Sequence, residues 1–138
     1  MSTEKNRKNA LRWFDTAASD LDTAKILISN GKFAHSCFHA HQAAEKAIKS
    51  VWYFVGEDPL GHSIQKMIDD LQYCSLEVYE KLKVILKEGK LLDRYYIPTR
   101  YPNGLPDITP DMAYDEDDAN ACIEKADKIL RVVGEYYE

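Results

Sequence analysis

Apolar residues in this chain recur at steps of three and four along four long stretches, and no run reads as a strand. That period admits little besides packed helices. Between Ala10 and Ile28 the apolar side carries Leu11, Phe14, Ala17, Ala18, Leu21 and Ala24, while Asp15, Ser19, Asp22 and Thr23 take the other side. Lys25 interrupts the apolar arc, with a stem long enough to carry its ammonium to water. Asn30-Gly31 supplies the residues that tolerate a left-handed helix end. A second helix is expected over about 33–55. Its stripe of Cys37, His41, Ala44, Ile48, Val51 and Val55 is widened by alanines and aromatics, so neighbours should contact it on several sides.

The break Gly56-Glu57-Asp58-Pro59-Leu60-Gly61 is followed by Ser63, which reads as the N-cap of a short helix from Ile64 to about Leu71. A further helix is expected over about 76–87, with Gly89 ending or kinking it, and a last one over about 115–137. Asp115 to Asp118 suit the first turn of that helix, where negative charge interacts favourably with the helix dipole. Between these two helices lies Leu91 to Pro102, whose prolines forbid a continuous regular helix, and then a loop long enough to suggest function. The expectation is an all-α, up-and-down bundle of four to five helices in a single domain, residues 1–138, with its core over about 11–137.

Charge and cysteine usage narrow the function classes. Eighteen basic residues against twenty-three acids give a net charge of -5, which excludes a uniformly basic nucleic-acid binder but not a local basic patch. Cys37, Cys74 and Cys122 form neither a disulfide framework nor a CxxC pair, which fits a reducing cytoplasm. The polar N-terminus resembles no signal peptide, and no apolar run reaches membrane-spanning length, so no membrane association is expected.

No site for a metal or other cofactor is legible. His35 and His39 share a helix face but lack a third ligand, and read as a polar face. His41 falls on the apolar stripe and reads as a satisfied core histidine; His62 reads as structural, with a ring that could face a cleft. There is no glycine-rich phosphate loop and no signature of nucleophilic catalysis. The informative segment is basic. Residues 81–101 carry Lys81, Lys83, Lys87, Lys90, Arg94 and Arg100 against Glu88 and Asp93 alone, whereas 107–127 set eight acids against Lys125. Tyr95, Tyr96 and Tyr101 interleave the basic stretch. Guanidinium forks pair with phosphates and tyrosine faces stack on bases, so Arg94, Arg100, Tyr96 and Tyr101, with Lys46, are the candidate phosphate-binding residues. The alternative is that the tyrosines pack the bundle end and the arginines pair with the acidic stretch.

The chain resembles the HEPN family (higher eukaryote and prokaryote nucleotide-binding domains) in its small stand-alone prokaryotic form. The resemblance is carried by Trp13-Phe14 with Ala17, Ala18, Asp20 and Leu21; by Gly31-Lys32-Phe33; by His41-Gln42-Ala43-Ala44-Glu45-Lys46-Ala47-Ile48-Lys49; by His62-Ser63-Ile64; by Tyr96-Ile97-Pro98-Thr99-Arg100-Tyr101-Pro102; and by the closing amphipathic helix. It implies a bundle akin to the C-terminal domain of kanamycin nucleotidyltransferase. It also implies homodimers and a separately encoded minimal nucleotidyltransferase as partner, in pairs resembling toxin–antitoxin modules. Some members are metal-independent ribonucleases that use an Arg followed, after four to six residues, by a His. Here the positions at that distance from Arg94 hold Thr99, Arg100 and Tyr101, and no other arginine has a histidine at that spacing. Tyrosine, ionising near ~10, is a poor proton carrier at neutral pH. The expected function is therefore a non-catalytic module that binds a nucleotide or RNA and docks a partner. Two alternatives are a ribonuclease toxin with a degenerate Arg/Tyr site and a purely structural helical homodimer.

Overall fold

In the computed structural model, which describes residues 3–138, the apolar stripes become the faces of an all-helical bundle. Three long helices dominate: α1 (Thr3–Ser29), α2 (Phe33–Phe54) and, last in the chain, α7 (Glu116–Tyr137). Between α2 and α7 lie the shorter α3 (Ile64–Asp70), α4 (Leu76–Leu82), α5 (Leu86–Asp93) and the single turn α6 (Pro110–Ala113). Three 3-10 turns, Leu71–Tyr73, Lys83–Ile85 and Pro102–Gly104, join them, and the described residues form no strand.

The wide apolar arc of α2 has the consequence expected of it. The helix runs along α1, packs against α7, and touches α3 and α5. Ala34, Ala40, Ala43, Ala44 and Ala47 are all buried, and their short side chains let neighbouring helices approach closely. Ile48, Val51, Ile64, Met67, Ile68, Leu82, Ile85, Leu92, Ile129 and Val133 fill the space between them.

The local signals act as the sequence indicates. Gly31 takes φ +75° after α1, and the Lys32 N–H reaches back to the Leu27 carbonyl at 2.9 Å. The Ser63 hydroxyl accepts from the Lys66 N–H at 3.1 Å, capping α3. Asp115 caps α7 in a reciprocal capping box with Asp118.

Three expectations change. Helix α1 begins at Thr3, seven residues before its first buried residue, Ala10, because its polar first two turns run in solvent where no apolar period marks them. The helix expected over 76–87 is divided by the 3-10 turn at Lys83–Ile85. Gly89 neither ends nor kinks a helix. It lies buried within α5, where a Cβ would meet Ile64 Cγ2 at 2.7 Å, so it is the contact point at which α5 closes on α3.

Side chains fasten the layers. Ser36 donates to the Ala24 carbonyl at 2.8 Å, the Ser50 and Tyr137 hydroxyls lie 2.7 Å apart, and the Trp52 indole N–H donates to the Met67 carbonyl at 3.1 Å. Trp13 packs its ring on Tyr53 with centroids 5.1 Å apart. Cys37 and Cys122 are buried side by side between α2 and α7. The bond to Cys37 and burial together push the Cys122 thiol far up.

Candidate functional site

Asp93 ends α5 and organises the region around it. Its carboxylate accepts the Ile64 N–H at 2.9 Å and the Gln65 N–H at 3.0 Å, two of the groups that the start of α3 leaves without helical partners. The Ser63 hydroxyl donates to it at 3.0 Å, and His41 Nε2 approaches Oδ1 at 3.0 Å from α2. Burial opposes the charge on Asp93, but the bonds from His41, Gln65, Ile64 and Ser63 outweigh it and hold the carboxyl below its ordinary range. A carboxylate only accepts, so His41 Nε2 carries the shared hydrogen. His41 is thus the satisfied core histidine its position in the stripe suggests, fully buried, with Nδ1 facing the Gln42 side chain at 3.4 Å.

Glu45, one turn along α2, is a buried carboxylate. Its Oε2 accepts from Lys49 Nζ at 2.9 Å and faces His62 Nδ1 at 3.4 Å. Its Oε1 lies 3.3 Å from His62 Nδ1 and 4.0 Å from His41 Nδ1, but neither contact has hydrogen-bond geometry and no other described residue supplies a bond. The His62 side chain is 58% exposed: one ring nitrogen meets a buried acid and one ring face is covered by Tyr96, while the remainder meets solvent.

Above this polar pair sits Tyr96. Its ring stacks on His62 (5.2 Å, 22°), tilts over His41 (4.9 Å) and lies 6.3 Å from Phe38. Arg100 then covers three rings at once, with Cζ 4.7 Å from Tyr96, 4.8 Å from Phe38 and 4.8 Å from Tyr101. Arg100 is exposed and makes no ion pair among the described residues. The Tyr95–Arg100 turn that carries these groups is held inside by Thr99, whose hydroxyl donates to the Tyr95 carbonyl, and by Tyr95, whose hydroxyl donates to Asp118 on α7 at 3.2 Å. Burial first, and then the nearby Cys122 and Asp118, push the Tyr95 phenol far up, so it stays a donor.

The candidate residues therefore divide. Arg100, Tyr96 and Tyr101 come together in this aromatic cradle. Arg94, still in register with α5, lines a separate depression with Lys87, Lys90 and Lys125. Lys46 lines a third with Arg12, Trp13 and Thr16, and its ammonium is bonded to Asp20 at 2.6 Å. The pairing of arginines with the 107–127 acids is not seen for either Arg94 or Arg100 among the described residues. The roles of Asp93 and Glu45 escape a reading of the sequence, since His41 and His62 reach them from 52 and 17 positions away; for His62 the sequence indicated only a structural ring that could face a cleft. The only local hint was the polar His41 and Glu45 on a buried helix. His35 is exposed and His39 half-buried, with burial lowering the His39 pKa against the pull of Asp20. Among the described residues no group of His, Cys, Asp and Glu is placed to hold a metal, and no helix is long and apolar enough to cross a membrane.

A family model described as the HEPN domain matches residues 10–136. The curated protein named "Putative toxin MJ1304" from Methanocaldococcus jannaschii is 26% identical over 136 residues, covering 95% of this chain and 90% of that protein. Among solved structures, TT1696 from Thermus thermophilus superposes with a TM-score of 0.82 at 34% identity, covering 92% of this chain and 97% of that one. ST0689, titled an archaeal HEPN homologue, gives 0.75 at 32% identity, covering 94% and 98%. A HEPN domain protein from Thermotoga maritima gives 0.68 at 26% identity, covering 91% and 96%.

Proposed function

The chain belongs to the HEPN domain family, and on that premise we propose that it is a non-catalytic nucleotide- or RNA-binding module whose anion site is the cradle around Arg100. One observation carries the reading: an exposed guanidinium with no acid partner among the described residues lies over Phe38, Tyr96 and Tyr101. Packing against rings fixes the fork in place, so less freedom is lost when it grips a phosphate, and the ring faces offer a surface for a base.

In this reading the module works as a homodimer in the cytoplasm, docked to a separately encoded minimal nucleotidyltransferase in a toxin–antitoxin-like pair. The family and the toxin designation of the archaeal relative support the pairing. Exposed apolar residues such as Ile97, Tyr101 and Met112, on and after the cradle segment, support a protein contact there. Co-purification with a nucleotidyltransferase encoded beside the gene, and light scattering at micromolar concentration, test the partner and the dimer.

The binding test is fluorescence anisotropy with a labelled oligonucleotide and competing nucleotides at low salt. Arg100→Ala should weaken binding by roughly 1.5–3 kcal/mol with helix content unchanged. The reading fails if wild type binds nothing, or if the variant binds as well as wild type.

A second reading, an RNA-cleaving toxin, gains support from His62. The bundle brings to Tyr96 an imidazole that no spacing from Arg94 or Arg100 predicted, with a buried carboxylate against Nδ1, an arrangement that orients a ring for proton transfer. Metal-independent cleavage of RNA by wild type that is lost in His62→Ala would select this reading over the first.

A further inference from the structure

Arg94 lies apart from the cradle. It lines a depression of about 270 Å³ between α5 and α7, together with Lys87, Glu88, Lys90, Leu91 and Lys125. We infer that this depression is a second, separate anion site, built for a ligand carrying two or more phosphoryl groups.

Three observations carry the inference. First, Lys87 and Lys90 on α5 and Arg94 at its C-terminal cap follow one another at steps of three and four, so like charges face each other along one side of the helix. Such a ladder weakens an isolated helix, and the two acids between its members, Glu88 and Asp93, turn instead to Lys128 and to the start of α3. Second, three exposed lysines of neighbouring segments each face an acid three or four residues away: Lys66 faces Asp70, Lys83 faces Glu80 and Lys81 faces Glu77 at 3.9 Å. Lys87, Lys90 and Arg94 make no ion pair among the described residues.

Third, the acids near the depression are already engaged. Glu88, a buried carboxylate in its wall, accepts from Lys128 at 3.0 Å, and Glu124 lies 3.4 Å from Lys125. Burial opposes the charge on Glu88, but Lys128, the Glu88 backbone and Lys125 prevail, so it remains ionised; Lys128 matches its Oε2, while Oε1 has no hydrogen-bond partner among the described residues. The three α5 cations are left unmatched at a concave surface, which concentrates their field.

The ladder also sets the size of the ligand. From Lys87 to Arg94 is seven residues, about 10 Å of helix axis at 1.5 Å per residue. One phosphate meets both ends only if both long side chains fold fully inward, whereas two linked phosphoryl groups meet them with less convergence. The inference does not depend on the cradle being a nucleotide site.

The test is calorimetric titration of the full chain with pyrophosphate at low salt. Lys87→Ala and Arg94→Ala should each weaken binding roughly five- to tenfold, as expected for loss of one charge-assisted contact. Both losses should persist in an Arg100→Ala background, where the cradle is disabled. Lys25→Ala/Lys32→Ala, which removes two exposed charges elsewhere, should leave binding unchanged. No wild-type binding below about 10 mM, or equal losses in the Lys25/Lys32 control, would overturn the site. Loss on Arg100→Ala but not on Arg94→Ala would overturn it as well. A short oligouridylate identifies the source of the phosphates. If it displaces pyrophosphate and itself binds less well to Arg94→Ala, the site takes a nucleic-acid backbone; if it does neither, the site takes a free diphosphate. Either result upholds the site, and neither depends on the outcome at Arg100.

Discussion

His41 and Asp93, 52 positions apart, meet through a hydrogen bond of 3.0 Å that ties α2 to the end of α5, and the same carboxylate caps the start of α3. Three helices therefore share one anionic anchor, and the ring of Tyr96 rests on the histidine it holds. The cradle inherits its geometry from a partly buried bond that takes no part in binding.

Asp93→Ala should destabilise the fold by about 3 kcal/mol, because it strands two backbone N–H groups and the buried His41 ring. Chemical denaturation reads this directly. The pH dependence has a definite sign. Folded Asp93 ionises below its ordinary value of 3.8, so its contribution is present above that value and is lost as pH falls through the lower folded-state value. Asp93→Asn should flatten that acid limb.

Gly89→Ala should lower the melting temperature even though alanine is the better helix former. The new Cβ would press on Ile64 Cγ2, and overpacking costs about 1–3 kcal/mol against a gain of about 1 kcal/mol in propensity. Combining it with Ile64→Leu, which removes that methyl, should recover part of the loss.

Tyr96→Leu should reduce oligonucleotide binding at the cradle by about tenfold, since the ring beneath both Arg100 and His62 disappears. Lys46→Ala should lose less, because its ammonium is bonded to Asp20 in a different depression. The same anisotropy titration compares the two.

Thiol titration should find one accessible cysteine in the native protein, Cys74, slowed because burial and the nearby Glu57 and Asp70 push its thiol up, and all three after denaturation. Cys74 is exposed, whereas Cys37 and Cys122 are buried and the Cys122 thiol is held protonated. Three accessible thiols in the native state would contradict the packing of α2 on α7.

What the sequence disclosed was local. The helical period located the long helices, Ser63 announced a cap, and Asp115 to Asp118 announced a helix start, because each acts on neighbours within one turn. What it concealed depends on closure of the bundle. Asp93 reads as one of two acids in a basic stretch until α2 and α3 arrive around it. Arg94 and Arg100 look like one site when counted along the chain. Yet α5 carries Arg94 toward Lys125, and the turn through Pro98 carries Arg100 onto Phe38. Gly89 looks like a helix breaker until Ile64 occupies the space where a side chain would stand.

Trp52 and Trp13 give the molecule two optical reporters with different loyalties. Trp52 is buried and gives its indole hydrogen to the Met67 carbonyl, so its emission registers whether α3 is seated on α2. Trp13 is half-buried against Tyr53 and registers the seam between α1 and α2. With Trp13→Phe, fluorescence follows the seating of α3; with Trp52→Phe, it follows the seam. A transient lifting of α3, the helix that Asp93 caps beneath the cradle, would shift the colour of the first variant and leave the second unchanged, separating local breathing from global unfolding.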